Sequence, residues 1–410
     1  MHQAVLLASA VIWLGTSASA QQNQPPAPSM KDLQAAALHD SNDATVHYRL
    51  AMAYWDKEQW DDADRSLREA LKLAPNYAEA HLAIGVLPAR RGDDYWKKRL
   101  KEQGRDTVEA VMLESLAHIR RAFEIDPLVK LGVLGRLDRW NGSYVVAARG
   151  RTMIIPLREP WWYGDLRKGV DDLRGEQYES AFTRLQAVAA DPRFRGDDRN
   201  LPGLVLWFHG LAAAHVMKFD AAARDFALLT GRAYAAEQDS TRSGGANWLP
   251  LQTNEYRYLM ASMLYLAHRY DEAIHVFRRA LEFDLGLYEA HVQMARMYED
   301  QGQLDSALTE RRLALDADQD DPDLLIDLAE TLSRANKVNE AEAAVVQAER
   351  SNPRDARGPY FEGILADATG DSARAREAYT RFLEIAPSRF AGQIADARAR
   401  LATLSGSAPP

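Results

Sequence analysis

Residues 254–287 read NEYRYLMASMLYLAHRYDEAIHVFRRALEFDLGL, and residues 288–321 read YEAHVQMARMYEDQGQLDSALTERRLALDADQDD. Laid one over the other, they set Ala261 on Ala295, Leu264 on Tyr298, Ala273 on Ala307 and Ala280 on Ala314. The next stretch supplies Ala329, Leu332, Ala341 and Ala348 before Pro353, and the last supplies Gly363, Ala366, Ala375 and Phe382 before Pro387. Four units thus run from Asn254 to Arg389 at a period of 34 residues. Small residues at two fixed points let two antiparallel helices approach closely, and large residues between them fill the seam. No unit can cover its own apolar face, so neighbours must stack. Asp300-Gln301-Gly302-Gln303, Arg334-Ala335-Asn336-Lys337 and Thr369-Gly370-Asp371 mark the reversals, and Pro353 and Pro387 end second helices.

Working outward, Ala44 opens a matching unit with Ala51, Tyr54, Ala63, Leu67, Ala70 and Pro75. Ala78 opens another, with Ile84-Gly85, but about 18 extra residues around Gly92 to Val108 delay its second helix to Ser115, Ile119 and Ala122. Looser copies cover 162–195 (Gly169, Tyr178, Ala181, Leu185) and 203–236 (Gly210, Ala213, Ala222, Phe226). In spacing and residue type together the chain resembles the tetratricopeptide repeat family. The fold expected is all-α, an α-α superhelix with a small β-hairpin insertion.

The hairpin is predicted from the β-branched runs Tyr144–Ala148 and Thr152–Leu157, which flank Arg149-Gly150-Arg151. Pro160-Trp161-Trp162-Tyr163 follows, an aromatic cluster that fits either a plug between repeat blocks or a protruding site for a peptide or glycan. The predicted divisions are a signal peptide (1–20), a disordered leader and helix start (21–43), N-terminal units (44–127) and the hairpin and aromatic insertion (128–161). Degenerate units (162–236), a linker (237–253), four regular units (254–389), a capping helix (390–404) and a disordered tail (405–410) complete the chain.

Val5 to Leu14 is almost wholly apolar, too short to span a bilayer, and ends near Ala18-Ser19-Ala20; this reads as a cleavable export signal. A periplasmic or secreted location follows as an expectation. The chain of 410 residues has no cysteine, which excludes disulfides, cysteine–metal sites and thiol nucleophiles. A net charge of -9 argues against a nucleic-acid partner, although 90–168 carries 17 Lys and Arg against 11 Asp and Glu. That local excess leaves a membrane-surface or cell-wall association open.

Catalytic patterns are absent. There is no H-E-x-x-H, phosphate loop or nucleophile elbow; His209 and His215, six apart, fall on different faces of a helix, and His268 and His275, seven apart, have no ligand-spaced carboxylate. The acidic run Asp316–Asp321 lacks the glycine and terminal glutamate of a calcium loop. Ser240–Ala246 is glycine-rich but follows a helix, so it reads as linker. No enzyme activity, cofactor or metal is expected.

The resemblance implies that positions 2, 5, 9, 12 and 13 of each unit line a concave groove. On this chain those positions include Tyr48 and Trp55, Tyr258 and Tyr265, Arg296 and Glu299, Glu330 and Arg334, and Arg357 and Tyr360. Thr45, Glu255, Glu289, Val292 and Asp323 fall in the same set. The family's asparagine for clamping a terminal carboxylate is missing at the ninth positions. A mixed aromatic and charged groove suits a protein or peptide, and the expected role is a non-enzymatic scaffold or adaptor. The alternative is a carbohydrate-binding module using Trp161, Trp162 and Tyr163.

Overall fold

The computed structural model describes residues 28–135, 143–148, 151–156, 158–194, 201–238 and 251–405. The expected signal peptide, residues 21–27 of the leader, the Ser240–Ala246 linker, the hairpin turn and nearly all of the tail lie outside the described residues.

After α1 (Met30–His39), the first pair is α2 (Ala44–Trp55) and α3 (Trp60–Leu73). The second pair is α4 (Ala78–Arg90) and α6 (Arg105–Ile125), with α5 (Asp93–Gln103) inserted between them. Strands β1 (Ser143–Ala148) and β2 (Arg151–Pro156) pair antiparallel, Tyr144 opposite Ile155 and Val146 opposite Met153. Then come α7 (Tyr163–Arg174) with α8 (Tyr178–Ala189), α9 (Gly203–His215) with α10 (Phe219–Gln238), and α11 (Thr253–Leu266) with α12 (Tyr270–Leu281). The last pairs are α13 (Tyr288–Asp300) with α14 (Leu304–Ala317), α15 (Pro322–Arg334) with α16 (Val338–Ser351), and α17 (Arg357–Thr369) with α18 (Ser372–Ile385). A capping α19 (Ala391–Leu404) ends the described chain.

Each reversal uses the same backbone device. The fifteenth residue of the units beginning at 44, 78, 162, 203, 254, 288, 322 and 356 has a positive φ. Three of these are glycine (Gly92, Gly302 and Gly370), and the others are Glu58, Glu176, Met217, His268 and Asn336. Helix starts are capped where the turns supply acceptors: Asp43 accepts from Thr45 N at 2.9 Å, and Asp321, ahead of Pro322, accepts from Asp323 N at 2.7 Å. The small residues of the seam are fully buried, Ala51 and Ala63, Ala261 and Ala273, and Ala329 and Ala341 among them.

The insertion changes the second pair. α6 runs 21 residues, and its last turns reach across to the later helices. Phe123 meets Trp207 edge-on at 5.4 Å, and Trp207 in turn meets Tyr256 at 5.8 Å. One apolar cluster therefore runs from Ala44 to Met297, whereas Leu308–Leu365 and Ala356–Ala397 form separate clusters. The expected linker begins inside α10, where the Glu237 carboxylate accepts from Thr253 N and Oγ1 at 2.9 and 2.8 Å.

Candidate binding groove

The first helices of the later pairs turn their second and fifth positions inward, and part of that inner face is already filled by the chain itself. Arg120 Nε lies 3.1 Å from Glu255 Oε1, and the Tyr258 hydroxyl donates to the Glu124 carbonyl at 2.6 Å. Arg121 contacts both Glu289 and the Tyr288 hydroxyl, with its guanidinium 5.0 Å from the Tyr288 ring centre. Asn76, in the turn between α3 and α4, donates to Asp323 Oδ2 at 2.5 Å. Burial pushes the Glu124 carboxyl upward, opposed by Arg121.

Beyond these contacts a cavity of about 520 Å³ stays open between the first pair and the last ones. That size lies within the usual range for ligand pockets. Most charges on its walls are neutralised: Arg357 holds Asp355 and Asp323, and Arg389 Nη1 is 3.0 Å from Asp43 Oδ1. Two arginines are less committed. Arg296 Nη2 is 3.9 Å from Asp327, which already binds Arg311 Nη1 at 2.5 Å. Arg354, exposed at the lining, has no side-chain ion pair among the described residues. The cavity can therefore take an anionic or hydrogen-bond-accepting group without first breaking a close ion pair.

Of the residues predicted for the groove, the structure brings Arg296 and Arg357 to this cavity, with Thr45, Glu289, Val292 and Asp323. The sequence reading placed Trp55 and Tyr258 on an open groove; the structure buries both, to 8% and 1% exposure. Trp55 packs edge-on against Trp60 at 5.4 Å, and Tyr258 lies beneath the end of α6. Tyr48 is half-buried against Tyr77, and Tyr265 donates to Asp300 at 3.2 Å with burial pushing its phenol up to about 12. Tyr360 donates to Asp396 at 3.0 Å. Glu299 is an internal ion-pair partner of Arg311 (3.1 Å) and Arg334 (3.4 Å), and it accepts from Thr331 at 2.6 Å. Burial raises the Glu330 carboxyl. Sequence reading missed Asn76, Arg121, Arg354 and Arg389, because turns and second helices have no place in the groove formula.

The aromatic cluster divides. Tyr163 is buried and Trp162 half-buried, while Trp161 is 42% exposed with the Arg193 guanidinium 3.5 Å from its ring centre. Among the described residues no group of His, Asp and Glu converges as a metal site would require, and no helix is long and apolar enough to cross a membrane.

No curated protein matches the chain in sequence. Among solved structures, the chain is similar to the C-terminal part of a TPR repeat-containing protein from Cytophaga hutchinsonii at 13% identity. That match covers 59% of this chain and 88% of the other, with a TM-score of 0.44. Yeast Tom70 aligns over 92% of both chains at 12% identity and a TM-score of 0.37. PilW, a type IV pilus biogenesis factor, aligns over 55% of this chain and 94% of its own at 18% identity and a TM-score of 0.38. Family models described as tetratricopeptide repeat match residues 44–77 and 326–390. The chain thus carries tetratricopeptide repeats in its first helix pair and in its last units, with further helix pairs stacked between them.

Proposed function

We propose that this protein is a non-enzymatic scaffold that binds a segment of another protein in the cavity between its first and last helix pairs. The observation that carries the reading is the pairing pattern there: the walls are neutralised, yet Arg296 and Arg354 remain available beside apolar Val292 and Phe390. Such a surface suits a peptide with an acidic side chain flanked by apolar ones. The reading includes export, supported by the Val5–Leu14 run and Ala18-Ser19-Ala20, and a role in assembling or positioning the bound partner in the cell envelope.

The test is crosslinking capture from the envelope fraction, comparing the native chain with an Arg296→Ala, Arg354→Ala variant of unchanged helicity. A partner captured by the native chain and lost with the variant supports the reading; equal capture by both refutes it. Sequencing the mature amino terminus checks export, with Gln21 as the expected first residue.

A second reading rests on Trp161, whose exposed ring sits beside a shallow recess lined by Asp165, Glu179, Ser180 and Thr183. An aromatic ring ringed by hydrogen-bonding groups suits a sugar. Retention on immobilised glycan that is lost in Trp161→Ala would move the function there.

A further inference from the structure

Among the described residues, three sets of polar contacts join the first helix pair and its flanking turns to the last units. Ser388 Oγ donates to Asp40 Oδ2 at 3.1 Å, Arg389 pairs with Asp43 at 3.0 Å, and Asn76 donates to Asp323 at 2.5 Å and Asp321 at 3.4 Å. These contacts join residues 245 to 348 positions apart and form one rim of the 520 Å³ cavity. The described apolar clusters do not cross this rim. The cluster containing the first pair extends to Met297 of α13, and separate clusters hold Leu308 of α14 and the helices after it. On the opposite side the Phe123–Trp207 and Trp207–Tyr256 contacts are buried and apolar. One side of the ring is therefore a packed core, and the other is held by hydrogen bonds and one partly exposed ion pair.

We propose that this rim is a clasp: the last helix pairs, which share no described apolar cluster with the first pair, move away from it as the superhelix flexes, and the opening admits ligand to the cavity. Apolar burial resists separation in any salt, whereas a partly exposed ion pair weakens as counterions screen it. Asp43 adds directionality. It is 1% exposed and caps α2 through Thr45 N, so it stays fixed while Arg389 leaves. The admission of ligand rests on the groove reading above; the movement itself does not.

Both readouts use the free, full-length chain, which has no native cysteine. Spin labels at Leu38→Cys and Glu384→Cys, both exposed positions flanking the clasp, report its span. The expected result is a longer-distance population that grows from low salt to about 1 M NaCl and dominates in Arg389→Glu. In a separate variant, Val292→Cys, a bulky maleimide reports access to the cavity; its rate should rise at least about tenfold when Arg389→Glu is added, a factor equal to 1.4 kcal/mol of opening. Salt titration without any clasp substitution covers the case in which Arg389→Glu perturbs folding. Distances unchanged by salt and by Arg389→Glu would overturn the clasp. Distances that lengthen while maleimide access stays constant would overturn the gating. Failure to capture any protein would sink the groove reading and leave both of these measurements standing.

Discussion

The Tyr258 hydroxyl donates to the main-chain carbonyl of Glu124 at 2.6 Å, a bond between residues 134 positions apart. It fastens α11 to the end of α6 and explains why the inner face is closed there. Gln293 Nε2 donates to the Tyr258 hydroxyl oxygen at 3.5 Å, and the Tyr258 ring stands edge-on to Phe277. Tyr258→Phe keeps the ring and orphans a buried carbonyl, so it should cost about 1 kcal/mol. Tyr258→Ala also empties the ring's volume and should cost roughly 3–5 kcal/mol. Urea midpoints of the two variants check this; near-equal losses would mean that the hydroxyl, not the ring, carries the stability.

Glu299 makes a parallel case on α13. Arg311, 5% exposed, rests between Glu299 and Asp327, and burial of its guanidinium is offset by those two carboxylates. Removing Glu299 leaves the buried Arg311 guanidinium with Asp327 as its remaining close carboxylate and leaves its Nε without an acceptor. Glu299→Ala is expected to destabilise by about 2 kcal/mol, the cost of leaving buried donors unpaired, without removing a residue of the cavity lining. The measurement is thermal unfolding alongside partner capture: lost capture in a fully stable variant would return Glu299 to the binding surface.

The repeat plan was legible because its constraints are local. Period, small seam residues and turn residues lie within 34 positions of one another, so the chain displays them in order. Even the glycines at Gly85 and Gly363 could be read as seam positions, and a Cβ on either would come within 2.6 Å of Ile119 or Tyr379. What the groove formula could not convey is what covers a face. It assigned Tyr258 to the inner side, and Tyr258 does meet α6, which the insertion displaced along the chain. The covering element comes from another unit, and one unit's spacing holds no record of it. The clasp residues Asn76 and Arg389 were invisible for the same reason.

Gly363 gives a direct test of seam tightness. An added methyl would meet Tyr379 Cε1 at 2.6 Å, and Tyr379 is wholly buried with nowhere to retreat. Gly363→Ala should destabilise by roughly 1–3 kcal/mol through overpacking, outweighing the helix propensity of alanine. A rise in the midpoint would show that Tyr379 moves freely.

His81 and His118 face one another on α4 and α6, with Nδ1 atoms 2.8 Å apart. His81 Nε2 lies 2.8 Å from the Pro75 carbonyl, which assigns that nitrogen as donor and Nδ1 as acceptor. Burial, the largest influence, pushes His81 down to about 4 from 6.5, and His118 is lowered as well. The unfolded chain takes up protons first as pH falls from 6.5 towards 4. His81 therefore contributes stability above pH 6.5 that is lost across that window. Buried Glu79, Glu124 and Asp126, whose carboxyls are raised, act in the opposite sense. The slope assigned to His81 is the difference between the parent and His81→Gln in urea midpoints over the window, and equal slopes would remove the imidazole from the account.

Met217 holds a φ of 58° at the reversal between α9 and α10, and its side chain is 71% exposed. Glycine occupies the same position at Gly302 and Gly370. The left-handed region costs a residue with a side chain roughly 1–2 kcal/mol, and Met217 recovers little of that through packing at such exposure. Glycine loses about 0.5–1 kcal/mol to chain entropy, so Met217→Gly should be net stabilising by about 0.5 kcal/mol. Met217→Ala keeps the strained backbone and should gain nothing. Comparing the two midpoints separates relief of backbone strain from loss of an exposed apolar side chain, and a gain shared equally by both variants would assign the effect to the side chain.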